Sequence, residues 1–276
     1  MARTLPDFRR PPLTEVVLGV QFEPLAGFGS VHSGLFWERI RESFPRVEER
    51  PTLQPVIERF GGRPARDLGV RWQVLDVPPP IRYWFLTEQG DQLIQLQSDR
   101  FLHNWRKRGP EDTYPRYEGI RQSFERELSL FQSFLTDHGL SHPEPNQCEV
   151  TYVNHIFPGD VWEHHSQLDR VLTITSGQYS DDFLGGPEDS RFAARYIIPD
   201  HQGTPLGRLH ISAKPGFEVS TGQPIIVLEL TARGQPQGEG TRGVLPFLDL
   251  GREWIVRGFT SITTPAMHQI WERTDA

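Results

Sequence analysis

The sequence predicts an α+β fold built as two similar halves, each reading strand, helix, several strands, long helix. Three observations carry this. A ten-residue stretch recurs: Glu15–Pro24 lines up with Glu149–Pro158, 134 residues further on, with Glu, Val and Pro matched in place. Short segments of alternating apolar and polar residues, the period of a half-buried strand, fill much of both halves. Two long apolar stripes at helical spacing then close the halves, one around Tyr117–Leu135 and one around Val244–Ile262.

Residues 1–12 are polar and proline-bearing, which predicts an extended arm. In 15–22 the side chains of Val16, Leu18, Val20 and Phe22 share one face of a strand. Helical spacing follows at Leu35, Phe36, Arg39, Ile40, Ser43 and Phe44, ended before Pro45. Residues 54–60 and 69–77 read as short strands, and Pro78-Pro79-Pro80 breaks the chain. Strands over 81–87 and 92–97 flank Glu88-Gln89-Gly90-Asp91, a hairpin turn whose glycine can take positive φ. A turn at Ser98-Asp99 leads to a strand over 100–105. In the clearest helix, Tyr117, Ile120, Phe124, Leu128, Phe131 and Leu135 form one stripe, and Gly139 supplies its stop. The segment Ser141–Asn146 is the expected boundary, giving halves at 1–142 and 143–276 within one compact unit.

The second half opens with a strand over 148–157. A helical stretch around His164–Leu172, a loop over 180–190 and strands near 191–198, 206–213 and 225–232 follow. Thr264-Pro265 begins a last short helix, because threonine caps free amides and proline at the first helical position loses nothing. The stripes are buried most simply by antiparallel sheet covered by the long helices. Joined edge to edge, the halves make a tandem TBP-like, saddle-shaped sheet; a helix-grip arrangement is the similar alternative.

Composition narrows the function classes. No apolar run reaches the 18 residues a membrane helix needs, and the N-terminus lacks the apolar core of a signal peptide. Cys148 is the single cysteine, so neither an intramolecular disulfide nor a thiolate zinc cluster can form, and its apolar surroundings predict a buried, inert thiol. These features predict a cytoplasmic protein. The formal net charge of −7 argues against nucleic acid, which demands a basic footprint.

Motifs for catalysis or cofactors fall short. Gly27-Phe28-Gly29 precedes a helix, but the next glycine, Gly34, is too far on for a dinucleotide turn. Asp160, Glu163, His164 and His165 form the densest group of possible metal ligands, yet adjacent histidines diverge on a helix. No Gly-x-Ser-x-Gly elbow is present. Glu58, Asp76, Glu88, Asp91 and Asp99 lie near predicted strand ends, but nothing selects a catalytic pair. Neither cofactor nor metal is therefore expected. The most unusual stretch is Ser98–Arg106, where aromatic, cationic and amide groups alternate. Arg100 and Asn104 fall on one face; Phe101, His103 and Trp105 fall on the other. Arg100 and Asn104, with Asn154 and His155 from the repeated strand, are the candidate binding residues. Each is a polar group in an apolar strand, where burial without a partner costs about 1–3 kcal/mol.

The N-terminal stretch 11–22, the central Leu93–Trp105, the strand Val150–Ile156 and the C-terminal 259–264 with Trp271 together resemble a sporadically distributed bacterial family of roughly this length and unknown function. The resemblance covers nearly the whole chain. It brings no catalytic residues, and the family's patchy distribution implies accessory genes such as defence or toxin–antitoxin loci. The leading expectation is a non-enzymatic interaction protein that binds a partner protein from its own locus, antitoxin-like or a defence accessory component, or a second copy of itself. The alternatives are a small-molecule or nucleotide-binding protein with a pocket between sheet and helix, and an enzyme of unrecognised site. Membrane is not an expected partner.

Overall fold

The computed structural model describes residues 4–61, 81–175, 181 and 183–275. Nine strands form one antiparallel sheet. In chain order the elements are β1 (Pro6–Phe8), β2 (Leu13–Phe22), α1 (Ser30–Ile40), β3 (Arg46–Pro51), β4 (Ile81–Leu86), β5 (Gln92–Gln97), β6 (Arg100–Arg106) and α2 (Arg116–Asp137). Then come β7 (Pro145–Ile156), a 3₁₀ turn at His165–Gln167, α3 (Leu168–Val171), β8 (Phe192–Pro199), β9 (Pro205–Phe217) and β10 (Pro224–Gly234). A 3₁₀ turn at Gly240–Gly243, α4 (Val244–Ile262), α5 (Pro265–Ile270) and β11 (Arg273–Asp275) complete the chain. The sheet order is β3-β4-β5-β6-β2-β7-β10-β9-β8, while β1 and β11 pair separately. The repeated strands β2 and β7 are therefore neighbours at the centre, with Val16 opposite Tyr152 and Leu18 opposite Val150.

One face of the sheet is apolar because the alternation read in the sequence puts Val16, Leu18 and Val20 of β2, Phe101 and Trp105 of β6, and Leu228 and Leu230 of β10 on the same side, all buried. The long helices lie on that face, α2 against β6 and β2 and α4 against β10 and β7. Phe131 of α2 is the hub of the first half, with ring centroids 5.3 Å from Phe36, 5.4 Å from Phe101 and 5.8 Å from Phe28. The Tyr117 hydroxyl and the Arg121 guanidinium both donate to Asp249 at 2.8 Å and tie the two helices together. Where α4 begins, a glycine is required: a Cβ at Gly234 would sit 2.5 Å from the Phe247 ring and 2.6 Å from the Leu206 carbonyl oxygen.

Most expected elements form within a few residues of their predicted bounds. Gly90 and Gly139 take φ of 71° and 65°, as the turn and the helix stop require. Thr264 accepts from the Met267 amide as a cap, with Pro265 in the first helical position. Cys148 is buried, and burial alone pushes its thiol up to about 12. Three expectations differ. The first helix starts at Ser30 rather than near Leu35 and ends at Ile40, with Phe44 buried beyond it. Arg46–Pro51 is an edge strand that its polar sequence concealed. Residues 54–60 are not a strand, because their backbone is bonded by side chains instead of by a neighbouring strand. The strand expected over 69–77 and the Pro78–Pro80 break lie outside the described residues.

Candidate functional site

Among the described residues the other face of the sheet carries no helix, and it is polar. Gln95 and Gln97 of β5, Arg100 and Asn104 of β6, Gln21 of β2, Gln147 of β7, Arg233 of β10, and Arg208 and His210 of β9 alternate with the core residues and so point away from the helices. Gln21, Gln95, Gln97, Arg100, Asn104 and Gln147 are nevertheless buried. Part of the cover is residues 52–60, which cross this face as a strap.

The strap runs across the strands rather than along them. Gln97 makes a two-way bond with Leu53, its side-chain oxygen accepting from the Leu53 amide at 2.9 Å and its NH₂ donating to the Leu53 carbonyl at 3.1 Å. Arg100 donates to the Gln54 carbonyl at 3.0 Å. The Val56 amide donates to Gln21 at 3.0 Å and the Glu58 amide to Gln147 at 2.8 Å. The strap thus moves from β5 over β6 and β2 to β7, and its end reaches β10 and β9. Five interstrand steps span about 24 Å, and the seven extended steps from Leu53 to Phe60 cover about 23 Å. A nearly straight chain at right angles to the strands fits both distances.

The strap's end is an ionic anchor. The Glu58 carboxylate accepts from Arg208 and lies 2.6 Å from His210 Nε2 and 3.7 Å from Arg233. Arg208 also donates to the Arg59 carbonyl at 2.7 Å and stacks over the Phe60 ring at 4.4 Å. Burial alone raises the Glu58 carboxyl, but hydrogen bonds from His210 and Arg208 and their charges outweigh it and hold the group at about 2. Beside the strap lies a cavity of about 350 Å³, lined by Gly19, Gln21, Val56, Arg100, Gln147 and Arg233 among others. Among the described residues Gln147 Nε2 is buried there without a partner.

The four expected binding residues separate. Arg100 and Asn104 both lie on the polar face of β6, with Leu102 between them. Arg100 bonds Asp99, Gln21 and the strap; Asn104 accepts from Gln95 at 2.8 Å and donates to Glu15 at 2.7 Å. Burial raises the Glu15 carboxyl, a shift that Asn104 and Arg106 oppose and Glu229 reinforces. Asn154 faces the helices and donates to the Leu228 carbonyl at 3.0 Å. His155 is half-buried near the far end of β7, where burial lowers its pKa against the opposing pull of Glu218. Of the five carboxylates weighed as catalytic, Glu58 anchors the strap, Asp99 joins Gln97 and Arg100, and Asp91 bonds Thr87 in the turn that also holds Glu88. Asp76 lies outside the described residues. Among the described residues no three His, Cys, Asp or Glu side chains converge as metal ligands. Two spaces lie between sheet and helices: one of about 80 Å³, lined by Phe8, Tyr114, Tyr117, Tyr152 and Phe259, and one of about 590 Å³ between β8–β9 and α4, lined by Tyr196, Leu209, Ile211, Trp254 and Arg257 among others.

Gln21, Gln97, Gln147, Arg208 and His210 were not singled out from the sequence. Polar side chains at alternate positions read as an ordinary solvent-facing surface, and only the crossing strap distinguishes them. No protein-family model matches the chain, and no curated protein or solved structure is significantly similar to it.

Proposed function

We propose that this is a non-enzymatic interaction protein whose polar sheet face grips an extended, acidic segment of a partner protein. The strap is the observation that carries this. Residues 52–60 are held by backbone-directed glutamine bonds and one charge anchor, with Val56 and Ile57 left 43% and 45% exposed. A surface that binds amides and carbonyls through side chains accepts many sequences; the Arg208, His210 and Arg233 cluster selects a carboxylate. The face therefore suits an acidic ligand, although the chain's formal net charge is −7. Catalysis is disfavoured at the anchor, because a carboxyl held near 2 stays ionised at neutral pH and makes a poor acid or base. One observation favours the small-molecule alternative: the space between β8–β9 and α4, about 590 Å³, falls within the roughly 300–1,000 Å³ of small-molecule pockets. The resemblance to accessory-locus proteins makes a product of the same locus the natural partner.

Internal duplication, in a tandem TBP-like arrangement, belongs to the same reading. Val17 and Thr151 are equivalent by the 134-residue offset and face each other directly across β2 and β7, as a two-fold axis there requires. Arg106 of α2's preceding strand pairs with Glu15, and Arg233 of α4's preceding strand pairs with Glu149, the repeated glutamate. Superposing the halves should place Val17 on Thr151; a best fit at another offset contradicts the duplication.

The binding reading is tested with a fluorescent peptide of sequence Pro51–Phe60 titrated against full-length protein carrying Glu58→Gln, which loosens the resident strap. Saturable binding that Gln147→Ala weakens supports the groove. No binding, although the loosened strap is cleaved after Arg59, overturns it.

A further inference from the structure

On the β3–β6 part of the polar face, three guanidinium groups surround one indole. The Arg50, Arg82 and Arg106 carbons lie 4.5, 5.5 and 5.3 Å from the centre of the Trp84 ring. Arg50 and Arg82 face each other directly across β3 and β4, where like charges repel. Compensation is partial: Glu15 lies directly opposite Arg106 across β2 and β6, and its charge opposes the lowering of the Arg106 pKa. Glu48 pairs with Arg50 and, at 3.8 Å, with Arg46. Arg82 donates to the neutral Gln95 amide oxygen at 2.8 Å, and Arg106 to the Gly90 carbonyl at 3.2 Å. Among the described residues, neither has a carboxylate within salt-bridge distance, and the Nε of each is buried without a partner. Burial and then the charges of Arg100 and Arg50 lower the Arg82 pKa; burial likewise leads the lowering at Arg106.

Gathering the half-buried Arg82 and Arg106 with the exposed Arg50 around one ring costs free energy that the fold recovers only in part by pairing them. The ring faces orient the guanidiniums through cation–π contacts, and among the described residues Arg82 Nη2 and Arg106 Nη1 make no hydrogen bond, so each can donate to a phosphate oxygen. We propose that the Trp84 cluster is a binding site for a small phosphate-bearing ligand, a phosphate monoester or pyrophosphate of charge −2 or greater, held by Arg50, Arg82 and Arg106. The site does not depend on the strap, since none of these three side chains bonds residues 52–60.

The test is calorimetric titration of the full-length protein with sodium pyrophosphate and adenosine monophosphate, beside sulfate and a single-stranded oligonucleotide at matched ionic strength. Pyrophosphate alone points to an inorganic source, and the nucleotide as well to an organic monoester; one saturable site for either supports the proposal. Arg82→Gln and Arg106→Gln should each weaken that binding by at least about tenfold, the loss expected for one charge-assisted contact. Arg82→Lys, which keeps the charge but not the fork, should weaken it too. The decisive second readout is the ligand-free melting temperature. Relief of unpaired repulsion predicts that Arg82→Gln melts at or above the wild-type temperature, whereas a purely structural arginine would lower it. No saturable heat with either phosphate probe, an equal response to sulfate, binding of the oligonucleotide alone, or undiminished binding by the glutamine variants would each overturn the proposal.

Discussion

Replacing Glu58 by glutamine isolates the strap's anchor, because the side chain keeps its shape and loses its charge. The wild-type carboxyl titrates at about 2 against an ordinary 4.5. That difference corresponds to a ceiling of about 3.4 kcal/mol at 1.36 kcal/mol per unit. The partners Arg208, His210 and Arg233 are 20–30% exposed, and Arg233 keeps Glu149, so solvent screening reduces this to about 1–2 kcal/mol. Because a depressed carboxyl stabilises the fold only while ionised, the contribution is complete above about pH 4.5 and disappears as pH falls towards 2. The strap's exposed Val56 and Ile57 contribute little to the core, so the loss should appear as local opening rather than global unfolding. Opening should become about 5- to 30-fold more frequent, read as faster tryptic cleavage after Arg59 at neutral pH. The melting temperature should change little, and the wild-type and variant cleavage rates should converge on acidification, measured with an acid-stable protease. Equal cleavage rates at neutral pH would refute the anchor, as would a global loss of stability matching the full ceiling.

Phe131→Ala should cost about 3–5 kcal/mol in denaturant unfolding, since it empties the point where the Phe28, Phe36 and Phe101 rings meet; a midpoint near wild type contradicts that packing. Gly234→Ala should lower the melting temperature by several degrees, because its methyl group would meet Phe247 and the Leu206 carbonyl, and a neutral result means α4 approaches the sheet less closely than described. Cys148, buried with its thiol pushed up to about 12, should resist a thiol reagent at pH 8 until the protein unfolds; prompt labelling of native protein refutes the burial.

The sequence made the helix-facing side of this molecule legible and left the other side obscure. Val16, Leu18, Val20 and Phe22 alternate cleanly because one side of β2 meets the core, and the stripe from Tyr117 to Leu135 repeats because α2 buries one side. Arg46–Pro51 escaped notice because an edge strand of polar residues has no apolar alternation to detect. Residues 54–60 resembled a strand because they are extended, but their bonding partners come from strands up to 152 residues away, as with His210 and Glu58. Arg100 and Asn104 stood out as polar residues in an apolar stretch, and they do lie on the strap's side of the sheet. Asn154 stood out equally and is satisfied internally by Leu228. Sequence alone cannot separate those cases, because both give a buried polar residue in a strand. The glutamines that hold the strap gave no signal, since their role depends on a chain crossing the sheet from elsewhere in the sequence.

Amide hydrogen exchange resolved along residues 52–60 of the unmodified protein tests most directly whether sheet side chains hold an extended chain. The amides of Leu53, Val56 and Glu58 donate to Gln97, Gln21 and Gln147, whereas no glutamine holds the intervening Gln54 and Ile57 amides. With each bond worth about 1 kcal/mol, the three held amides should exchange at least roughly fivefold more slowly than their two neighbours, and at rates set by one common opening. Uniform, unprotected exchange across all five would contradict the account.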